Sequence, residues 1–89
     1  MRSLSQTKQF EKDLKRLKKR GKDLEKLKNI VRRLAEGLAL EIKHKDHPLH
    51  GDWSGSRDCH IEPDWLLIYT MNEDFLRLER TGSHADLFD

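Results

Sequence analysis

"RDCHIEPDWLLIYTMNEDFLRLERT", residues 57–81, decides the fold. Its first six residues set Cys59 and Ile61 against Asp58, His60 and Glu62, the alternation of a strand with one covered face and one polar face. Pro63 and Asp64 supply a turn. "WLLIYTM" is almost continuously apolar and reads as a central strand. "NED" closes a hairpin, and "FLRLERT" alternates again. Strict alternation puts Leu76, Leu78 and Arg80 on one face and Phe75, Arg77 and Glu79 on the other.

Upstream the period changes to that of a helix. Phe10, Leu14 and Leu17 fall at i, i+4, i+7, with Thr7 as N-cap and Gly21 as the stop. Leu24, Leu27, Ile30, Val31 and Leu34 mark a second helix at about 23–36, between Asp23 as cap and Gly37 as stop. Two helices so closely joined are expected to pack as an antiparallel hairpin. Residues 2–6, "RSLSQ", read as a short edge strand, and 37–56, with Pro48, Gly51 and Gly55, as a long loop. The expected fold is α+β, a helical hairpin on one face of a small, mostly antiparallel four-stranded sheet. At 89 residues the whole chain, 1–89, reads as a single domain.

Composition narrows the setting. No apolar run approaches the roughly 18 residues of a membrane span, and "MRSLSQTKQF" lacks the apolar segment of a secretory signal. Cys59 is the single cysteine, so no internal disulfide is expected and a reducing cytoplasm is the default. The net charge of +2 conceals a division: 13 Lys/Arg against 4 Asp/Glu in residues 1–33, and 5 against 12 in the remainder. Such a basic block suits a polyanionic partner, and equally a solvated helical surface.

Five histidines stand out. His44, His47 and His50 lie in the loop "HKDHPLHGDW", His60 on a strand and His84 in the tail "GSHADLFD". The loop histidines are three apart, a spacing that neither a helix nor a strand brings to one point, and no closed zinc spacing is present. No metal is therefore expected. Catalysis is the other possibility. If the helices cover the Cys59/Ile61 face, His60 and Asp58 look out from the opposite one. A groove there would gather Asp58, His60, Asp64, Arg80 and His84, with the loop supplying His47. Imidazoles that give and take protons near neutral pH, beside an arginine that grips phosphate, are able to cleave RNA without a metal. A surface of unrelated polar histidines is the competing reading.

"KDHPLHGDWSGSRDCHIEPDWLLIYT" followed by "LRLERTGSHADLF" resembles the YafQ branch of the RelE/ParE toxin superfamily. The shared pattern is K-D-H-x-L, G-x-W, R-D-x-H-x-x-P-D-W-x-L-x-Y, then R-x-G-x-H-x-x-L-F. The resemblance implies a RelE-like fold and a ribosome-dependent mRNA endoribonuclease, the toxin of a type II toxin–antitoxin pair. Such proteins cut the codon in the ribosomal A site, with no cofactor. It implies His47, Asp58, His60, Asp64, Arg80 and His84 as the catalytic set, with His84 as the principal proton donor. Phe88 and Lys45 would hold RNA. The implied partners are a cognate antitoxin, the ribosome with its A-site rRNA, and mRNA, with no membrane. Trp53 and Trp65 read as packing anchors. The competing functions are a non-catalytic, gyrase-inhibiting toxin like the ParE branch, and a basic RNA-binding module without chemistry.

Overall fold

A computed structural model describes residues 1–88; the single-domain expectation for 1–89 thus reaches one residue, Asp89, outside the described residues. The elements run β1 (Ser3–Gln6), α1 (Lys8–Lys19), α2 (Leu24–Ala35), β2 (His47–Pro48), β3 (Arg57–Glu62), β4 (Trp65–Met71), β5 (Phe75–Gly82) and α3 (His84–Phe88). The α+β class holds, but the sheet has five strands, not four, in the order β1-β5-β4-β3-β2. The fifth is β2, a two-residue strand inside the segment expected to be loop, flanked by two short 3-10 turns. The sheet is mixed: β1 runs parallel to β5, and the other neighbours are antiparallel. Among the described residues no helix is long and apolar enough to cross a membrane.

The helices begin and end where the residues require. Thr7 and Asp23 each accept a backbone N–H of the first turn, from Phe10 and Glu25. Gly21 and Gly37 adopt φ of 79° and 77°, the left-handed closure that a Cβ opposes. The helices do not form a self-contained hairpin. α1 lies chiefly along β5, while α2 divides between β3 and β5. A groove of about 500 Å³ opens between them and β1, lined by Leu4, Leu14, Leu24, Leu27 and Val31 among others.

The main core joins Phe10, Leu17, Leu27, Ile30 and Leu34 to Cys59, Ile61, Trp65, Leu67, Tyr69, Leu76 and Leu78. The helices therefore cover the Cys59/Ile61 face, as expected. The opposite face is not bare. Leu66, Ile68 and Leu87 form a second cluster there, with Leu49 and Trp53 packed on it. α3, in the segment read as a tail without an assigned element, is thus a lid across β4. Both tryptophans are anchors: Trp53 in this second cluster and Trp65 in the main one, its Nε1–H donating to Thr81 Oγ1 at 2.9 Å.

Candidate active site

The short strand β2 sets the site's first histidine. His47 pairs with Asp58 across the β2–β3 ladder, so the two side chains share a face. His60, two residues on, shares it as well. The ring centroids of His47 and His60 are 6.5 Å apart, and those of His60 and His84 5.7 Å. Phe88 continues the row, 6.2 Å from His84 and 44% exposed. Three imidazoles and a phenyl ring therefore run in file from a sheet edge to the end of α3.

Hydrogen bonds set how each imidazole is presented. His47 Nδ1 lies 2.6 Å from the carbonyl of Lys45, and His60 Nδ1 lies 3.1 Å from that of Pro63. A carbonyl only accepts, so both Nδ1 atoms carry the proton and both Nε2 atoms keep a lone pair when the ring is neutral. His84 Nδ1 donates to Asp64 Oδ1 at 2.9 Å, and the backbone N–H of His84 donates to the same oxygen at 3.0 Å. The backbone bond first, then the ring bond, holds the Asp64 carboxyl below the usual range. Asp64 is therefore ionised beside His84, and one of its oxygens accepts from both the ring and the backbone of that residue.

Asp58 lies behind the row. It is buried, its Oδ1 has no hydrogen-bond partner among the described residues, and its Oδ2 is 3.9 Å from His47 Nε2. Burial pushes its carboxyl up, and the charges of His47, His60 and His84, when protonated, pull it back. The sequence placed Asp58 on a polar open face; α3 and the Leu49–Trp53 segment close that face over it.

Arg80 arrives by a route that alternation misses. A bulge leaves Tyr69 opposite Leu78 and Ile68 opposite Arg80, with Glu79 as the extra residue. Parity then switches, so Arg80 shares a face with Ile68 rather than with Leu76 and Leu78. Its Nε and Nη2 donate to Asp13 at 2.8 and 3.1 Å, leaving Nη1 without a partner among the described residues. Asp13, on α1, is fully buried and also accepts from Gln9, Arg16 and the Thr81 backbone N–H. Burial raises its carboxyl, but the bonds from Arg80, Thr81 and Gln9 outweigh that and hold it below the usual range.

Asp86 fixes α3 in place. It accepts from both terminal nitrogens of Arg20, at 2.6 and 3.1 Å, and from the Ser83 N–H at 2.9 Å. A Cβ on Gly82 would come within 2.8 Å of Asp86 Oδ2, so only glycine lets the carboxylate close this turn.

The structure thus brings together His47, Asp58, His60, Asp64 and His84, with Phe88 at one end. Arg80 is near the end of β5 but tied to Asp13. Lys45 is exposed, and its backbone rather than its ammonium meets the site. His44 donates Nδ1–H to the His60 carbonyl at 2.6 Å, and His50 is exposed outside the row. Asp13, Asp46 and Asp86 were not foreseen as site-forming residues. Asp13, set among Lys12, Lys15 and Arg16, was the faint signal available. Among the described residues no three His, Cys, Asp or Glu side chains are placed to hold a metal ion.

Comparison with known proteins identifies the family. Residues 2–89 match the family described as YafQ, bacterial toxin of type II toxin–antitoxin systems. The chain is 49% identical over 88 residues to the mRNA interferase toxin YafQ of Escherichia coli K12, covering 98% of this chain and 96% of that protein. It superimposes with a TM-score of 0.92 and 48% identity on a chain of the E. coli DinJ–YafQ toxin–antitoxin complex, over 99% of this chain and 98% of that one. A metal-bound toxin from Helicobacter pylori matches with a TM-score of 0.92 and 46% identity, over 99% of this chain and 100% of that one.

Proposed function

The chain belongs to the YafQ family of bacterial toxins, and from that premise we propose that it is an mRNA interferase that cuts message in the ribosomal A site. Its whole length acts as one toxin domain, restrained by a cognate antitoxin and working in the cytoplasm, where ribosomes are. The observation that carries this reading is the row of imidazoles, each with Nδ1 anchored and Nε2 left for substrate.

The chemistry is transfer at phosphorus. The ribose 2′-OH attacks the scissile phosphate as a base removes its proton. Negative charge builds on the phosphate oxygens, and an acid protonates the departing 5′ oxygen. The products are a 2′,3′-cyclic phosphate and a 5′-hydroxyl. Among the three histidines, His84 suits the acid, because its Nδ1 donates to the ionised Asp64 carboxylate at 2.9 Å, which holds the ring in place to deliver a proton from Nε2. His60 suits the base, because its Nδ1 rests on the neutral Pro63 carbonyl and its Nε2 is free to accept. His47, backed by the Asp58 carboxylate, supplies positive charge to the phosphate. Arg80 adds to that charge through Nη1, Phe88 holds the nucleotide beside His84 by stacking, and Lys45 offers its charge at the His47 end of the row. Every proton moves through an imidazole, so the reaction as drawn needs no metal.

The basic face of α1 supplies docking. Lys12, Lys15, Lys18 and Lys19 are exposed and make no ion pair among the described residues, whereas Lys22 and Lys26 are both committed to Glu62. Contacts to rRNA phosphates need no sequence information, which fits a partner met on every message.

The test is incubation with programmed ribosomes, read by primer extension. Breaks confined to the A-site codon, with cyclic phosphate ends, are expected, and naked message should be cut far more slowly. Intact message with trapped gyrase would overturn the reading. Because a metal-bound relative is known, the reaction is repeated with a chelator selective for transition metals; loss of cutting on intact ribosomes would refute the metal-free mechanism.

A further inference from the structure

Asp46 has no part in the proton transfers, yet the groups around it control where His47 stands. The Tyr69 hydroxyl donates to Asp46 Oδ1 at 2.5 Å, and Arg57 Nε donates to the same oxygen at 3.1 Å. Tyr69 is fully buried in the main core, and Arg57 is its cross-strand neighbour on β3. We propose that Asp46 is the positioning residue for His47, fastening the catalytic edge of the sheet to the buried hydroxyl of Tyr69. The proposal rests on the nuclease reading above and extends it to a residue on the opposite face of the sheet.

Three observations converge. First, β2 is two residues long and lies at the sheet edge, paired only with β3. So short a strand has few ladder bonds to resist fraying or sliding, and a slip of one residue would turn His47 away from Asp58. Second, successive side chains along an extended segment point to opposite faces. With His47 on the Asp58 face, Asp46 is directed to the face of Tyr69 and Arg57, where its bonds are found. A lock on one face thereby sets the ring on the other. Third, Lys45 is the only non-glycine residue with positive φ among the described residues, at 48°. A side chain persists in that left-handed region only where its surroundings over-determine it. The turn aims the Lys45 carbonyl at His47 Nδ1, 2.6 Å away. His44 on one side, bonded to the His60 carbonyl, and Asp46 on the other hold that turn closed. Releasing Asp46 therefore frees both the strand register and the acceptor that anchors His47 Nδ1.

The experiment compares Tyr69→Phe, Asp46→Ala and Asp46→Asn with wild type in single-turnover cleavage on saturating ribosomes, alongside NMR of the histidine ring nitrogens across pH. Tyr69→Phe removes one oxygen from a ring that stays packed, so folding is preserved. A misplacement of about 1 Å can cost about 100-fold in rate, so Asp46→Ala should lower kcat by about 10- to 100-fold with little change in KM. Tyr69→Phe should fall less, since Arg57 remains. Asp46→Asn should recover part of the rate, since its amide oxygen can still accept from the hydroxyl. The His47 ring signals should change in Asp46→Ala and Tyr69→Phe while those of His84 do not. Unchanged His47 signals in both variants would overturn the proposal, even if melting temperature or rate fell. Should the wild-type protein fail to cut message at all, the nuclease reading fails, and the His47 signals still decide the positioning role.

Discussion

Asp58→Asn is expected to make the fold more stable and the enzyme slower. The wild-type carboxylate is buried, with Oδ1 unpartnered and no cation closer than His47 Nε2 at 3.9 Å. An unsatisfied buried polar group costs about 1–3 kcal/mol, more when charged. Asparagine keeps the shape, carries no charge, and its amide can donate to the lone pair of neutral His47 after a small shift. Its own carbonyl stays unpartnered, so part of the penalty remains, and a net gain of about 1 kcal/mol is reasonable. For a chain of this size that raises Tm by about 4–8 °C.

The sign with pH follows from the direction of the Asp58 shift. Burial raises its folded-state pKa above the unfolded value. Its penalty is therefore absent below the unfolded pKa of about 3.9 and complete above the raised folded one. Positive charge on the neighbouring histidines offsets part of the penalty. The stability advantage of Asp58→Asn should thus be largest near pH 8 and close as the pH falls toward 4. Thermal denaturation across that range, paired with ribosome cleavage at pH 7, measures both effects. A variant less stable than wild type at pH 8 would refute the account of Asp58 as a strained counter-charge.

Other outcomes follow from the same geometry. His84→Gln should lose about 10²–10⁴-fold in single-turnover rate and one limb of the pH–rate profile, whereas Phe88→Ala should lose rate and keep the limb. Replacing Lys12, Lys15, Lys18 and Lys19 together with glutamine should weaken ribosome binding and flatten its salt dependence, seen in a sedimentation series at several salt concentrations. Asp13→Asn should destabilise the fold by about 3 kcal/mol, at the low end for breaking a buried pair because Arg80 stays partly hydrated, as chemical denaturation would show.

The strands β3, β4 and β5 and both long helices were legible because each is long enough to display its period, and the caps Thr7 and Asp23 and the stops Gly21 and Gly37 stand at their ends. β2 was not, since two residues, one of them Pro48, have no period to read. α3, at five residues, spans little more than a turn, and only Leu87 and Phe88 hinted at an apolar contact. The unbroken apolar run of β4 did carry the information that both its faces are covered, because a half-exposed strand would alternate. What it could not reveal was the cover itself. The parity of Arg80 was hidden for a different reason: a bulge depends on how the sheet twists against its neighbours, and strict alternation has no place for the extra residue Glu79. Asp13, amid Lys12, Lys15 and Arg16, looks like one more charge on a solvated helix until Arg80 arrives from 67 positions away.

The proposed catalytic row is assembled from pieces too small to hold their own shape, so acidic side chains fasten them to the larger elements, and α3 shows how. A five-residue helix is unstable alone. Leu87 seats it on Leu66 and Ile68, and Asp86 ties it to α1. The Arg20 bonds, against an opposing effect of burial and with help from Ser83 and Arg16, hold the Asp86 carboxyl well below the usual range. A depressed carboxyl contributes stability above its unfolded pKa and loses it as pH falls through the folded one. In wild type, α3 should therefore stay docked well below pH 4. Arg20→Gln removes the largest cause, so the Asp86 pKa moves back toward the ordinary range and the lid loosens at a higher pH. The readout is hydrogen exchange at the Leu87 amide, which bonds to the Ser83 carbonyl at 3.2 Å. Its protection should fall in the variant as pH drops toward 4, while that of β4 amides holds. Cleavage at saturating ribosomes should fall with it, since His84 rides on the same helix. Equal Leu87 protection in both proteins at every pH would mean that apolar seating alone holds the lid, and that the Arg20–Asp86 pair serves no purpose in placing His84.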